Sequence, residues 1–266
     1  MKISFIGGGI MGGAIIKSLL AKGEAKPGDI TVSDISEARR KILKERHGVK
    51  AVADNREVMK GADVVVLAVK PQELGKILAE VKELSSQQLV LSIVAGATLD
   101  SLREGLGHSC LVRAMPNMPA QVGEGITAWT ATDEVNQRQK EMAQSILAAL
   151  GKEIYVSGEK YIDMATALSG SGPAYVFLII EALVDAGVHI GLPRDMAEKL
   201  VVQTVLGSAR AVEAMGKHPA ELKNMVTSPG GTTTEGLLQL EKGGLRSLLL
   251  QTVIAAHNKS KALGAK

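Results

Sequence analysis

Four short runs of aliphatic and β-branched residues punctuate the first hundred positions: Ile3 to Ile6, Ile30 to Val32, Asp63 to Val69 and Leu89 to Val94. Each is followed by a segment whose apolar positions recur with helical periodicity, so the chain opens as repeated strand and helix units. The run Val64-Val65-Val66-Leu67-Ala68-Val69 has no polar alternation. That predicts burial on both faces, hence a mainly parallel sheet covered by helices. Further strands are predicted at Leu111 to Ala114, Gly125 to Ala131 and Glu153 to Val156, with a helix from about Glu134 to Leu150 between the last two.

The alternation stops near Ser157 and Gly158, and beyond it one helical pattern follows another, with starts marked by Pro173, Pro193 and Pro219. No strand is predicted there. The stretches Val176 to Val184 and Leu245 to Ala256 are more apolar than a single helical layer of this size can bury. The expected fold is α/β, a dinucleotide-binding domain over 1–157 followed by an all-α domain over 158–266 that makes a subunit interface. Docking of these helices onto the first domain is the alternative.

Composition narrows the partners. Aromatic residues make up 2% of the chain, and 31 Lys and Arg face 28 Asp and Glu without forming a basic stripe, so nucleic acid is not expected. Cys110 is the single cysteine, which fits a reducing compartment, and the five histidines lack metal-ligand spacing. The longest unbroken apolar run, Ala174 to Ile180, is far short of the roughly 20 residues of a membrane span. A cytoplasmic protein without membrane or metal is the expectation.

Gly7-Gly8-Gly9-Ile10-Met11-Gly12 follows the first strand and opens a helix, the setting in which G-x-G-x-x-G binds a dinucleotide. Gly7 permits the tight turn, Gly9 lets backbone approach a pyrophosphate, and Gly12 lets helix pack on strand. Asp34 closes the second strand, where an acid accepts ribose hydroxyls and favours NAD. Against that, Ser33 offers a hydroxyl and Arg39 and Arg40 are placed to reach a phosphate, although solvated helix positions are the plainer reading of both arginines. The cofactor preference stays open on these residues. The strand ends Ala68-Val69-Lys70-Pro71 and Val94-Ala95-Gly96 should also face the cofactor. Asn117, held between Pro116 and Pro119, is a rigid mount suited to a carboxamide such as that of nicotinamide.

In the second half, Thr232 and Glu235 have capping-box spacing, so a helix should begin after Ser228-Pro229-Gly230-Gly231 with free N–H groups suited to a carboxylate. Thr233 lies in its first turn. Leu168-Ser169-Gly170-Ser171-Gly172-Pro173-Ala174-Tyr175 is a second glycine and serine turn, open either to a nicotinamide or to a close-packed helix. The apolar helix after Pro173 carries no lysine through Asp185, so the base that an alcohol dehydrogenation needs is missing. Reduction of a C=N bond asks chiefly for orientation and a hydrogen bond to nitrogen.

With these elements in place the chain resembles the pyrroline-5-carboxylate reductases, most specifically in Leu168 to Tyr175 and Thr227 to Thr233, and also in Phe5 to Gly12, Ala68 to Pro71 and Met115 to Pro119. The resemblance implies a Rossmann domain, a helical domain interlocked with that of a second subunit, and homodimers that assemble further, often to decamers. It implies hydride transfer from NADPH, with NADH also usable, to the C=N carbon of L-1-pyrroline-5-carboxylate, giving L-proline. Thr233 then matches the threonine that hydrogen-bonds the ring nitrogen, and Gly231 and Thr232 match positions whose backbone holds the carboxylate. Glu159 matches a substrate-side acid. The implied cofactor set is Ile6, Gly7, Gly8, Gly9, Ile10, Met11, Gly12, Ser33, Asp34, Asn55, Ala68, Val69, Lys70, Pro71, Ala95, Gly96 and Asn117. Ser33 fits the family's habit of small polar residues near a 2′-phosphate, and Asp34 departs from it. A β-hydroxyacid dehydrogenase, which shares the Gly-x-Gly-x-Met-Gly opening, and a nucleotide sensor without turnover are the competing readings.

Overall fold

The computed structural model describes residues 1–82 and 84–264. Eight strands, β1 (Ile3–Ile6), β2 (Ile30–Ser33), β3 (Lys50–Val52), β4 (Val64–Leu67), β5 (Leu89–Ser92), β6 (Leu111–Met115), β7 (Gly125–Ala131) and β8 (Gly151–Tyr155), form one sheet in the order β3-β2-β1-β4-β5-β6-β7-β8. All pairs are parallel except β6 with β7. The connecting helices are α1 (Ile10–Ala21), α2 (Glu37–His47), α3 (Asn55–Met59), α4 (Pro71–Glu80), α5 (Leu99–Leu106) and α6 (Gln137–Ala148). After β8 come α7 (Lys160–Ala165), α8 (Gly172–His189), α9 (Arg194–Met215), α10 (Pro219–Met225), α11 (Thr232–Lys242) and α12 (Leu245–Gly264).

The strand pleat explains why the central runs lack polar alternation. Ile3, Phe5, Val64 and Val66 pack on one face against Ile15, Ile16 and Leu19 of α1 and Ile146 and Leu147 of α6. Ile6, Val65 and Leu67 pack on the other against Leu74 and Ile77 of α4 and Leu102 and Leu106 of α5. Each such side chain contributes about 1.5–3 kcal/mol by leaving water. The order 3-2-1-4-5-6 reverses between β1 and β4, and ligands in such sheets lie beyond the carboxyl ends of the strands there.

The strand β3 is absent from the sequence reading. It has only three residues and follows the left-handed Gly48 cap of α2 at once, too short a run for an alternation signal. The predicted helix from Glu134 begins at Gln137 instead, because Asn136 and Gln139 form a reciprocal capping box with both bonds at 3.0 Å. Pro173 and Pro219 stand in first turns as expected, whereas Pro193 is the residue before α9. A π-helical turn over Thr166–Gly170 joins α7 to α8.

Compact packing divides the chain elsewhere than at 157/158. One unit is Met1–Ser171 together with the chain from Ala255 onward, and the other is Gly172–Ile254. The sheet unit reaches past position 157 because α7 is tied to β6 by side chains described below. Within the second unit α8 and α9 pack closely, and a Cβ added to Gly187 would stand 3.1 Å from Ala197. Phe177, Leu178, Leu183, Leu200 and Leu206 nevertheless remain exposed. Within the helical run 160–189, a window of 18 residues with mean hydropathy 1.6 is also long and apolar enough to cross a bilayer by length and composition. The count of unbroken apolar residues missed this, since single polar residues interrupt it without lowering the mean much.

Candidate active site

The glycine turn sits at the switch point, between the ends of β1 and β4. Gly7 has φ +96°, and a Cβ there would stand 2.6 Å from the Ala68 carbonyl oxygen, so no other residue fits the turn. Gly12 lies against the turn in the same way, its added Cβ 3.3 Å from that of Ala68. Gly9 is the residue before α1, has no side chain to cap the helix, and has nothing within 4 Å of where a Cβ would stand. The first-turn N–H groups of a helix have no intrahelical acceptor, so Gly9, Ile10 and Met11 present an open cradle for an anion. The residues present therefore fit the pyrophosphate of a dinucleotide.

Around this cradle the polar side chains hold one another. Gly8 N–H donates to Asp34 Oδ2 and Ser36 N–H to Asp34 Oδ1, each at 2.9 Å, which fixes the carboxylate at the end of β2. Ser33 is fully buried and donates its hydroxyl to Asn55 Oδ1 at 2.7 Å and to the Phe5 carbonyl at 3.3 Å. Strand pleating turns this side chain inward, onto Asn55 and the Phe5 carbonyl. Asn55 in turn donates to Glu80 Oε2 at 2.8 Å, and lines a cleft of about 350 Å³ together with Ile35, Ala53, Glu73 and Ile77. A larger cleft of about 1260 Å³ opens at the opposite ends of the strands, beside Asp63, Gln88 and Cys110, away from the cradle.

Neither arginine of α2 is a solvated helix residue. Arg39 donates from Nε to the Gly8 carbonyl and from Nη2 to that of Gly9 at 2.9 Å. Arg40 Nη1 donates to the carbonyls of Asp34 at 2.7 Å and Ile35 at 3.0 Å. Burial first, and then the charges of Arg39, Arg46 and Lys17, hold His47 below the usual histidine range. The positive charge beside the turn belongs to Arg39.

The later strand ends are placed as Pro71 dictates: Lys70 is extended and exposed, and α4 begins at Pro71. Ala95 and Gly96 are half-buried. A Cβ on Gly96 would meet Leu263 at 3.1 Å, so the glycine there admits the last turn of α12. The Asn117 amide donates to the Ser169 carbonyl at 3.1 Å and its Oδ1 accepts from Ile126 N–H at 3.0 Å, so both ends of the side chain serve the fold. Gly170, whose added Cβ would stand 3.1 Å from Met115 Cε, takes the close-packing alternative of its turn.

Glu159 is likewise engaged. Its Oε1 accepts from Arg113 Nη1 and from Leu99 N–H, each at 2.7 Å. Arg113 Nη2 reaches Asp163 at 2.9 Å, and Ser260 donates to the same Asp163 oxygen at 3.0 Å. One buried guanidinium thus gathers α7 and the end of α12 onto β6, with the N-terminus of α5 facing the extra negative charge. In the structure Glu159 anchors α7 to β6 and to the start of α5. The signal missed in the sequence was an arginine inside Leu111-Val112-Arg113-Ala114-Met115, since a charge in an apolar strand requires partners.

In the second unit α11 starts where predicted, but Thr232 is its first residue and Gly231 the residue before it, with no side-chain cap. The predicted capping box therefore does not form. Thr234 donates its hydroxyl to the Ser228 carbonyl at 2.7 Å, and Gly231 N–H reaches the same oxygen at 3.0 Å, which closes the turn from the backbone side. Thr233 is the second helical residue and half-buried.

Comparison with known proteins agrees with this geometry at two levels. Residues 159–263 match the family described as pyrroline-5-carboxylate reductase dimerisation, and residues 2–96 that described as NADP oxidoreductase coenzyme F420-dependent. A pyrroline-5-carboxylate reductase of Synechocystis sp. is 44% identical over 266 residues, 100% of this chain and 99% of the relative. The solved structure of a pyrroline-5-carboxylate reductase from Coxiella burnetii is similar with TM-score 0.90 and 42% identity, covering 98% of each chain. That of Plasmodium falciparum pyrroline carboxylate reductase with NADP bound is similar with TM-score 0.91 and 35% identity, covering 99% of this chain and 98% of its own.

Proposed function

The chain belongs to the pyrroline-5-carboxylate reductase family, and from that premise we propose that the start of α11 handles the substrate while the glycine turn and Asp34 hold the dinucleotide. The reaction is the reduction of L-1-pyrroline-5-carboxylate to L-proline with NADP(H), an oxidoreductase step of proline biosynthesis. The β-hydroxyacid dehydrogenase and sensor readings yield to it. The observation that carries the residue assignment is the uncapped start of α11, with Gly231 before it and Thr233 second in it. Of the two backbone positions the resemblance assigns to the substrate carboxylate, Thr232 offers the N–H, where the positive end of the helix favours an anion, while the Gly231 N–H closes the turn onto the Ser228 carbonyl. The Thr233 hydroxyl hydrogen-bonds the ring nitrogen, which fixes the orientation of the C=N bond; a bound dinucleotide would supply the hydride.

The segment 159–263 is a dimerisation domain, so a second copy covers the exposed apolar side chains of α8 and α9, and dimers assemble further into decamers in this reading. NADPH is the proposed reductant, with NADH also accepted, because Asp34 stands where the adenosine ribose binds and an acid there disfavours a 2′-phosphate. The proposed setting is the cytoplasm, consistent with the buried free thiol of Cys110.

Loss of the reduced-nicotinamide absorbance on mixing purified protein with pyrroline-5-carboxylate, run separately with NADPH and NADH, tests the assignment. Turnover is expected with both. Absence of turnover with either would remove the reading. Replacing Asp34 by serine is expected to raise the NADPH to NADH ratio of kcat/KM by about tenfold, the equivalent of one hydrogen bond and a relieved repulsion. An unchanged ratio would place Asp34 away from the ribose.

A further inference from the structure

Arg39 does something that neither the motif nor the reaction requires of it. The glycine turn is gripped from two sides: Asp34 takes the Gly8 N–H, and the Arg39 guanidinium takes the carbonyls of Gly8 and Gly9 with two of its donors. Two carbonyls held by one planar fork fix the peptide planes on both sides of Gly9, and with them the direction of the N–H groups that follow. The Arg39 fork has room because position 13 has no side chain. Gly13 is buried inside α1, and a Cβ placed on it would collide with Arg39 Nη2. Glycine within a helix is unfavourable relative to alanine, so its presence as the fourth residue of α1 calls for a reason, and the seat of the guanidinium supplies one.

We propose that Arg39 is a positioning residue that clamps the Gly8 and Gly9 peptides for dinucleotide binding, and that Gly13 is the seat that lets the clamp close. This rests on the glycine turn being the dinucleotide site. The clamp acts on the backbone that meets the pyrophosphate, which NADH and NADPH share, so it serves both equally. It also keeps a positive charge beside the turn without engaging the 2′ position. The end of an arginine is flexible, so a methyl group at position 13 displaces the guanidinium rather than disrupting α1.

The test uses the full chain and three variants, Gly13→Ala, Arg39→Met and the double variant, titrated with NADPH, NADH and ADP-ribose by calorimetry, with urea unfolding alongside. Each single variant is expected to weaken all three ligands by a similar factor, about tenfold, the equivalent of one or two hydrogen bonds on the turn. The double variant should bind no more weakly than Arg39→Met, because both changes remove the same interaction. Gly13→Ala should be at least as stable as the parent chain, since alanine is the better helix former, so affinity and stability move apart. Wild-type affinity in Gly13→Ala, additive losses in the double variant, or losses that track lowered stability would each overturn the clamp. Loss confined to NADPH would overturn it in favour of a 2′-phosphate reader. Failure of the unmodified protein to bind either dinucleotide would instead sink the assignment of the turn itself, and the clamp with it.

Discussion

Arg113→Met is expected to destabilise the sheet unit by about 3 kcal/mol, because removing one partner of a buried ion pair leaves its carboxylates without compensation. Arg113 has 3% of its side chain exposed, against 28% for Glu159 and 19% for Asp163, so water can take over only part of the lost interaction. The change reaches three elements at once, since Glu159 also caps α5 through Leu99 N–H and Asp163 holds Ser260 of α12. The lowered urea midpoint is the readout. A companion variant that neutralises the whole cluster, Arg113→Met with Glu159→Gln and Asp163→Asn, should regain much of the loss, because a neutral cluster no longer leaves charge unpaired. A loss within about 0.5 kcal/mol for the single change, the scale of a surface ion pair, would show that the network does not anchor these helices.

Thr233→Ala is expected to lower the rate of imine reduction by about ten- to a hundredfold while NADPH affinity stays near that of the parent chain. The hydroxyl acts on the ring nitrogen in the proposed geometry, and one such hydrogen bond, if its partner is left unpaired, is worth on the order of 1–3 kcal/mol. Thr234, one residue on, engages its own hydroxyl with the Ser228 carbonyl, so it cannot stand in for Thr233 without opening the turn. Single-turnover rates at saturating nucleotide, together with nucleotide titration, separate the two contributions. An equal loss of NADPH binding would move Thr233 to the cofactor side, and an unchanged rate would remove it from the mechanism. Together with Gly13→Ala this gives a contrast, since one variant impairs the chemical step and the other the nucleotide.

How far the site was legible depended on whether its chemistry is written in backbone or in side chains. The Gly7 to Gly12 turn could be read because each glycine answers a local demand: a positive φ at Gly7, a close approach at Gly12, open space at Gly9. The helix start after Gly231 was legible for the same reason, although which residue precedes it was not, since Thr232 and Gly231 both suit that place. Side-chain partners were less legible. Ser33, Asn117 and Glu159 are polar residues at strand ends or helix starts, and the fold employs all three internally. A polar group brought to the edge of a buried sheet finds its partner nearby, and only the packed structure says whether that partner is protein or ligand.

By itself, then, the amino-acid sequence determined the parallel sheet, its glycine turn, the change to helices after Ser157 and the helix start that carries Thr233. These follow from local steric rules and from the periodicity of apolar residues, which act over a few positions. Only tertiary structure decided that Arg39 closes on Gly8 and Gly9 over Gly13, that Arg113 draws Glu159, Asp163 and the neighbouring helices together, and that the sheet unit reaches to Ser171 and takes in the chain from Ala255. The direct partners of Arg39 and Arg113 lie 26 to 50 positions from them, and Ser260 lies 97 from Asp163. Nothing local marks such pairings, because a buried charge constrains the sequence only through the requirement that some partner be within reach once the chain has folded.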